Sequence, residues 1–164
     1  TILGKNPQVV FCPNYYQDVG QILAQAESIG LTVPFLGGDG WDGLEGYATA
    51  DQLKDAYFCA NYAKGSSTEF ESAYKEKYGE DYPNGFAPLG YDAAMTVVYG
   101  LQAAEDAGLE AGTDEYKQAV IDAIASGTID GITGTFTFDE HHNPVKQTAI
   151  LCFDGATPVL KEMF

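Results

Sequence analysis

The chain reads Phe35-Leu36-Gly37-Gly38-Asp39-Gly40-Trp41-Asp42-Gly43, an apolar run that passes directly into a glycine-rich turn with two acids and a tryptophan. Glycine allows positive φ and lets other groups approach the backbone closely. Asp39 offers a carboxylate, and Trp41 offers a ring face that attracts an ammonium group by about 0.5–2 kcal/mol. Two interpretations stay open from this stretch alone: a binding turn for a small cation, or a strand-ending turn with Trp41 in the core.

The residues before this turn predict a strand–helix–strand unit. Residues 8–12 form an apolar run between two prolines, which indicates a buried strand. Apolar residues recur at helical spacing from Val19 to Ile29, Gly30 is a helix stop signal, and residues 33–36 form the next strand. The short connections predict a right-handed crossover with parallel pairing, so the fold class is α/β.

Polar and aromatic residues follow both of these strands. Asn14-Tyr15-Tyr16 comes after the first strand, and Asp39-Gly40-Trp41 comes after the second. In open α/β sheets ligands bind beyond the carboxyl ends of the strands, and both segments should emerge at that edge. The sequence therefore predicts a binding site there.

Further motifs extend the pattern along the chain, and the series as a whole resembles one family. They lie at residues 70–79, 89–94, 131–134 and 136–140. With the two segments above, they resemble the branched-chain amino-acid (leucine/isoleucine/valine type) binding proteins of ABC importers, in the type I periplasmic-binding-protein superfamily. The resemblance covers nearly the whole chain but only the second half of such a protein, so we expect a fragment of a longer exported protein.

The resemblance implies a partial type I periplasmic-binding-protein fold, with parallel sheets flanked by helices and parts of two lobes. Residues 1–60, with residues 147–164 returning to them, would belong to the second lobe, and residues 61–146 to the first. Members of this family close two lobes around a ligand and are not enzymes. We therefore expect no catalytic residue, no cofactor and no metal site.

The resemblance also implies roles for particular residues. Asp39 stands at the acidic position that accepts the α-ammonium of the ligand, and Tyr15 lines the same pocket. Phe86 falls near an aromatic residue that the first lobe contributes. Trp41 stands where aliphatic-selective members commonly have a smaller residue, which suggests stacking on an aromatic or extended ligand. The predicted ligand-binding residues are Asp39, Tyr15, Trp41, Phe86, Asn14 and Gly38.

The function implied is that of an extracytoplasmic solute-binding protein, periplasmic or a cell-surface lipoprotein, that binds a branched-chain or aromatic amino acid for ABC-type import. Its expected partners are the amino acid, the membrane permease and the N-terminal half of the same protein, and the fragment alone is expected to self-associate. One alternative is a sensory receptor ectodomain built on the same module. Another is a flavodoxin-like enzyme, but residues 13–16 lack the small residues of a phosphate-binding loop.

Composition excludes several other classes. The 164 residues carry a formal net charge of −16, which repels nucleic acid and anionic membrane surfaces. Asp39 and Asp42 could be a catalytic carboxylate pair, but nothing predicts the opposed geometry that glycosidases need. His141 and His142 could bind a metal, but a polar hairpin turn is favoured. The three cysteines each lie in an apolar run and are expected to be buried.

The remaining elements follow from periodicity and caps. We predict a strand over 53–61, a helix over 69–78 capped by hydroxyls of residues 64–68 and closed by Gly79, and a long helix over 87–107. A third helix should begin after Thr113, and strands 135–138 and 148–153 should be joined by a turn at 139–144. The expected buried stripe of the long helix is Leu89, Ala93, Ala94, Val97, Val98 and Leu101.

Overall fold

The computed structural model describes residues 2–164, which form two compact units. The first unit contains the residues through Lys64 together with Thr148–Phe164, and the second contains Gly65–Gln147. The helices are α1 Tyr16–Ser28, α2 Ala50–Leu53, α3 Thr68–Tyr78, α4 Phe86–Asp106 and α5 Asp114–Ser126. The strands are β1 Val10–Cys12, β2 Phe35–Gly37, β3 Ala56–Ala60, β4 Ile129–Gly131, β5 Gly134–Phe138, β6 Pro144–Val145, β7 Ala149–Asp154 and β8 Thr157–Met163.

The first unit is built on a five-stranded sheet in the order β1-β2-β3-β7-β8. Strands β1, β2 and β3 are parallel, with Phe11 opposite Leu36 and Leu36 opposite Tyr57. Strand β7 runs antiparallel to β3, and β8 runs antiparallel to β7. The α/β class and the parallel strand–helix–strand unit predicted from residues 8–36 are confirmed, whereas β4, β6 and β8 were not predicted.

Side chains alternate between the two faces of this sheet, as the pleat of a strand requires. Val10 and Cys12 are buried while Phe11, between them, is 66% exposed. The buried face packs on α1 through Val19, Leu23 and Ala26. The largest fully buried side chains of this core are Trp41, Phe58, Leu44 and Leu53.

The predicted strand over 53–61 begins too early. Thr49 accepts a hydrogen bond from the Gln52 backbone, and the Gln52 side chain accepts one from the Thr49 backbone. This capping box holds residues 50–53 as the short helix α2, because both helix-end donors are satisfied reciprocally. The strand itself is β3, with Ala56, Phe58 and Ala60 on its buried face.

The helix ends of the second unit follow the cap signals in the sequence. Ser67 accepts a hydrogen bond from the Phe70 backbone at the start of α3, and Gly79 ends that helix at φ 78°. Thr113 accepts one from the Tyr116 backbone at the start of α5. The predicted caps at these three positions are confirmed, since side-chain oxygens at an N-cap satisfy otherwise free backbone N–H groups.

The predicted buried stripe of α4 is wrong. Val97, Val98 and Leu101 are exposed, at 51%, 50% and 39%. The buried face of this helix instead carries small and polar residues at four-residue spacing, namely Pro88, Asp92, Thr96, Gly100 and Ala104. Gly100 shows why this face needs a small residue, because a Cβ atom there would lie 2.8 Å from Ile124 and 2.9 Å from Val120 of α5. Close helix contact therefore selects glycine, and the apolar stripe faces outward.

The second unit also has a three-stranded antiparallel sheet, β4-β5-β6. The turn at 139–143 joins β5 to β6, not to the strand over 148–153, which belongs to the sheet of the first unit. Asp139 closes this turn by accepting hydrogen bonds from the backbone of His141 and Asn143. Hydrogen bonds from Asn143 are the main reason that the pKa of Asp139 is lowered. The two histidines thus lie on a hairpin turn.

A buried polar cluster joins α4 to the turn between β4 and β5. The Asp92 carboxylate is 3% exposed and accepts hydrogen bonds from the Ile132 N–H at 2.8 Å and the Thr133 N–H at 2.9 Å. It also accepts from the Thr133 hydroxyl, whose oxygen accepts a hydrogen bond from Lys146 Nζ. Burial lowers the pKa of Lys146, while the charge of Asp92 opposes that shift. A single carboxylate therefore satisfies three donors of the turn.

The cysteines differ in exposure, which corrects the expectation that all three are buried. Cys12 is buried, Cys152 is intermediate and Cys59 is exposed, and all three are free thiols. Cys59 lies on the β3 face opposite to the core, as does Tyr57. Within residues 2–164 we find no helix with the length and apolar character needed to cross a membrane.

Candidate functional site

The carboxyl ends of β1 and β2 form one edge of the sheet in the first unit. Cys12 and Gly37, the last residues of the two strands, are register partners in parallel pairing. The segments that follow, Asn14-Tyr15 and Gly38-Asp39-Gly40, therefore leave the sheet side by side. We call these five residues the rim site. This is the edge at which open α/β sheets bind ligands.

Gly40 brings the two segments of the rim site into contact. A Cβ atom at residue 40 would lie 3.2 Å from the Asn14 carbonyl oxygen and 3.2 Å from Tyr15 Cδ1. Such distances are tighter than ordinary van der Waals contacts, so only glycine lets the Asp39 turn rest on the Asn14-Tyr15 segment without displacement. Gly40 is not among the ligand-binding residues predicted from the sequence, although its glycine-rich surroundings were the signal.

Asp39 stands at the first position of a short 3-10 turn, Asp39–Trp41. The turn is closed by hydrogen bonds from the Trp41 N–H to the Gly38 carbonyl and from the Asp42 N–H to the Asp39 carbonyl, both 3.1 Å. The Asp39 side chain is exposed, and in the part of the chain that the structure describes its carboxylate has no hydrogen-bond or ion-pair partner. An exposed carboxylate on an ordered turn can accept a hydrogen bond from a cationic group.

Tyr15 and Asn14 supply the other side of the rim site. Tyr15 is 66% exposed, so most of its ring is available to a ligand. It is also the N-cap residue of α1, where its carbonyl accepts a hydrogen bond from the Val19 N–H at 3.0 Å. The helix thus fixes the backbone of Tyr15 while leaving its side chain free. Asn14 is exposed as well.

Trp41 does not line the rim site, and the prediction that it offers a ring face to a ligand is wrong. Its side chain is 0% exposed. The indole Nε1–H donates a hydrogen bond to the Cys12 carbonyl at 3.1 Å, and the ring packs on Phe58 with centroids 6.3 Å apart. The core has room for it because residue 37 is glycine: a Cβ atom there would overlap the indole ring. The alternative of a strand-ending turn with Trp41 in the core is what the structure shows.

Phe86 belongs to the second unit, where it is the first residue of α4. Its side chain is 67% exposed, and its backbone N–H donates a hydrogen bond to Asn84 Oδ1 at 3.1 Å. The Asn84 side chain therefore orders the start of the helix next to an exposed aromatic ring. Such a ring can contact an apolar or aromatic group.

Two expectations concern a metal site and the possible carboxylate pair Asp39 and Asp42. Among residues 2–164, no three or more His, Cys, Asp or Glu side chains are grouped so that they could hold a metal ion. Asp39 and Asp42 lie at the start and just after the end of one 3-10 turn rather than on two opposed elements. Carboxylates that act on a glycosidic bond face each other across the substrate.

The chain belongs to a known family. Residues 1–156 match the family described as periplasmic binding protein. A comparison with curated protein sequences found no match. The fold is that of the type I periplasmic binding proteins, and the relatives are binding proteins rather than enzymes.

Solved structures support the same fold. A leucine binding protein from Thermotoga maritima is 23% identical with a TM-score of 0.79, and the match covers 99% of this chain and 46% of that one. A branched-chain amino acid transporter substrate binding protein from Streptococcus pneumoniae, solved with isoleucine, is 26% identical with a TM-score of 0.69, covering 95% and 43%. A solute binding protein from Rhodopseudomonas palustris, solved with benzoate, is 19% identical with a TM-score of 0.72, covering 99% and 44%. The chain thus spans less than half the length of these three proteins.

Proposed function

We propose that the chain is the C-terminal half of an extracytoplasmic solute-binding protein that holds an amino acid at the rim site and delivers it to an ABC importer. The observation that carries this proposal is the Asp39 carboxylate, exposed and without a partner among the described residues, on a turn that Gly40 seats against Tyr15. A carboxylate so placed accepts hydrogen bonds from the α-ammonium of an amino acid. A hydrogen bond to a charged group contributes about 1.5–3 kcal/mol.

The remaining residues of the rim site favour an apolar side chain on the ligand. The exposed Tyr15 ring can cover a branched-chain or aromatic side chain, and Gly38 lets a ligand approach the backbone. Asn14 can contribute a polar contact at the edge. The similarity to a protein solved with isoleucine supports this class of ligand.

The two units have different roles in this proposal. Residues 1–60 and 147–164, which include the rim site and most of the first unit, would be part of the second lobe, and residues 61–146, which include most of the second unit, part of the first. Phe86, exposed at the start of α4, would contact the ligand from the first lobe. The groups that hold the carboxylate of the amino acid would lie in the N-terminal half of the same protein, and closure of the two lobes would surround the ligand.

A thermal-shift screen of the full-length protein tests the proposal. Ligands at about 100 times their Kd add about 2.7 kcal/mol to stability, so a cognate ligand should raise Tm clearly. We expect a rise with L-leucine, L-isoleucine, L-valine or an aromatic L-amino acid, and none with the matching D-amino acids. A rise only with short-chain amides, urea or benzoate would refute the ammonium role of Asp39. No rise with any of these compounds would refute the transport-type binding function.

The proposed N-terminal half has apolar surfaces to cover on each unit. Phe11 and Leu36 are exposed on the sheet of the first unit, and Tyr91, Met95 and Val98 are exposed on α4 of the second. Exposed apolar patches above a few hundred Å² commonly mark interaction sites. The permease would be a further partner, met by the assembled protein.

We expect the isolated chain to self-associate through these surfaces. Sedimentation velocity at micromolar concentration should show dimers or larger species, and Val98→Glu should shift the distribution toward monomer because it places a charge on the α4 surface. Glu45→Gln, a change at an exposed acid in the first unit, serves as the control and should leave the distribution unchanged. A clean monomer of the unaltered chain would contradict the expectation.

A further inference from the structure

Trp41 makes a side-chain hydrogen bond that joins the end of β1 to the turn after β2, close to the rim site. Its indole Nε1–H donates to the carbonyl of Cys12, the last residue of β1, at 3.1 Å. Trp41 itself belongs to the same 3-10 turn as Asp39, and its backbone N–H closes that turn on Gly38. The bond therefore joins the end of one strand to the turn that follows its neighbour.

The indole has no freedom to move independently of the core. It is 0% exposed, packs on Phe58 and occupies the space that a side chain at residue 37 would fill. Protein interiors are close-packed, so a shift of the ring must shift the turn that carries it. The neighbouring residue, Gly40, rests on Asn14 and Tyr15 at 3.2 Å. Trp41, through its packing in the core, and Gly40, through its contact with Asn14 and Tyr15, thus both fix the Asp39 turn relative to Tyr15.

We propose that Trp41 is a positioning residue for the rim site: its buried indole, through the hydrogen bond to Cys12, sets the placement of the Asp39 carboxylate relative to the Tyr15 ring. It acts without touching the ligand. The proposal rests on the proposed function for its effect on binding, whereas the placement itself does not depend on any ligand. Two measurements distinguish the placement of the Asp39 turn from its effect on ligand binding.

The first measurement is hydrogen exchange of backbone amides, with no ligand present. Trp41→Phe keeps an aromatic ring in the core but removes the Nε1–H donor. We expect exchange at residues 15–19 and 38–42 to become about fivefold faster, since loss of one hydrogen bond of about 1 kcal/mol lowers the local opening energy by that amount. Leu53→Val, a change at a fully buried residue of the same core, is the control and should leave these segments unchanged relative to the rest of the unit. Unchanged exchange in Trp41→Phe would overturn the proposal.

The second measurement is calorimetric titration of the full-length protein with L-leucine, in a double-mutant cycle with Asp39→Asn. Trp41→Phe should weaken binding about three- to tenfold in the unaltered background and less than about twofold in the Asp39→Asn background. Equal losses in both backgrounds would show a purely structural role and overturn the proposal. If exchange changes as expected but the unaltered protein binds neither L-leucine nor the other amino acids, the proposed function fails and the placement by Trp41 stands.

Discussion

Replacing Asp92 by alanine is expected to lower the free energy of unfolding of the second unit by about 3–5 kcal/mol. The reason is the number of groups that depend on this one carboxylate. Its removal leaves the backbone N–H groups of Ile132 and Thr133 without their acceptor, and a buried donor left unsatisfied costs about 1–3 kcal/mol. The Thr133 hydroxyl and the charge of Lys146 also lose their partner. Urea unfolding followed by circular dichroism measures the change.

Matched variants distinguish this cluster from a general effect of charge. Asp106→Ala removes an exposed acid from the end of the same helix and should change the free energy of unfolding by no more than about 0.5 kcal/mol. Asp92→Asn keeps one acceptor oxygen but turns an N–H donor group toward the turn, so its loss should be intermediate. An unfolding midpoint for Asp92→Ala equal to that of Asp106→Ala would contradict the assigned role.

The strand–helix–strand unit could be predicted because its signals are local. The apolar run of β1, the helical spacing that begins at Val19 and the stop at Gly30, which has φ 71°, each fix one element without reference to distant residues. The edge of the sheet that carries Asp39 and Tyr15 then follows from the parallel pairing of the two strands, which places both of their carboxyl ends at one edge. Thus the position of the rim site came from topology, not from any single motif.

The buried face of α4 could not be predicted, because periodicity shows that a helix has an apolar face but not what that face contacts. Here the face against α5 is made of residues small enough for close approach, and the face with Val97 and Val98 is exposed. The burial of Asp92 was not predicted either, because a carboxylate in a helix is normally exposed. Gly131 is the residue in the sequence that reflects this contact, since a Cβ atom there would lie 2.5 Å from Asp92 Oδ2.

Trp41 shows how a residue in a binding motif can be part of the core. Sequence places an indole beside a carboxylate on one turn, and either could face a ligand. Whether the indole is buried depends on residue 37, because only glycine at that position leaves space for the ring in the core. This dependence of Trp41 on Gly37 is a contact in space, so it produces no periodic pattern in the sequence from which it could be predicted.

Replacing Asp39 by alanine in the full-length protein is expected to weaken L-leucine binding by about 10- to 100-fold in calorimetric titration. The loss corresponds to one charge-assisted hydrogen bond, about 1.5–3 kcal/mol. Asp154→Ala is the matched control: β7 runs antiparallel to β3 and begins opposite Ala60, so Asp154, at its end, lies at the other edge of the sheet. That variant loses the same charge and should bind L-leucine as the unaltered protein does.

The same variant distinguishes an amino acid from a ligand without an ammonium group. An aromatic acid such as benzoate has only a carboxylate, which the exposed Asp39 would repel at short range. If the natural ligand is of that kind, Asp39→Ala should strengthen benzoate binding and leave L-leucine binding absent in both proteins. Asp39→Asn would then resemble Asp39→Ala, whereas for an amino acid ligand it should retain part of the affinity, because an amide oxygen still accepts a hydrogen bond but carries no charge. The sign of the change at this one side chain thus decides which class of ligand the rim site holds.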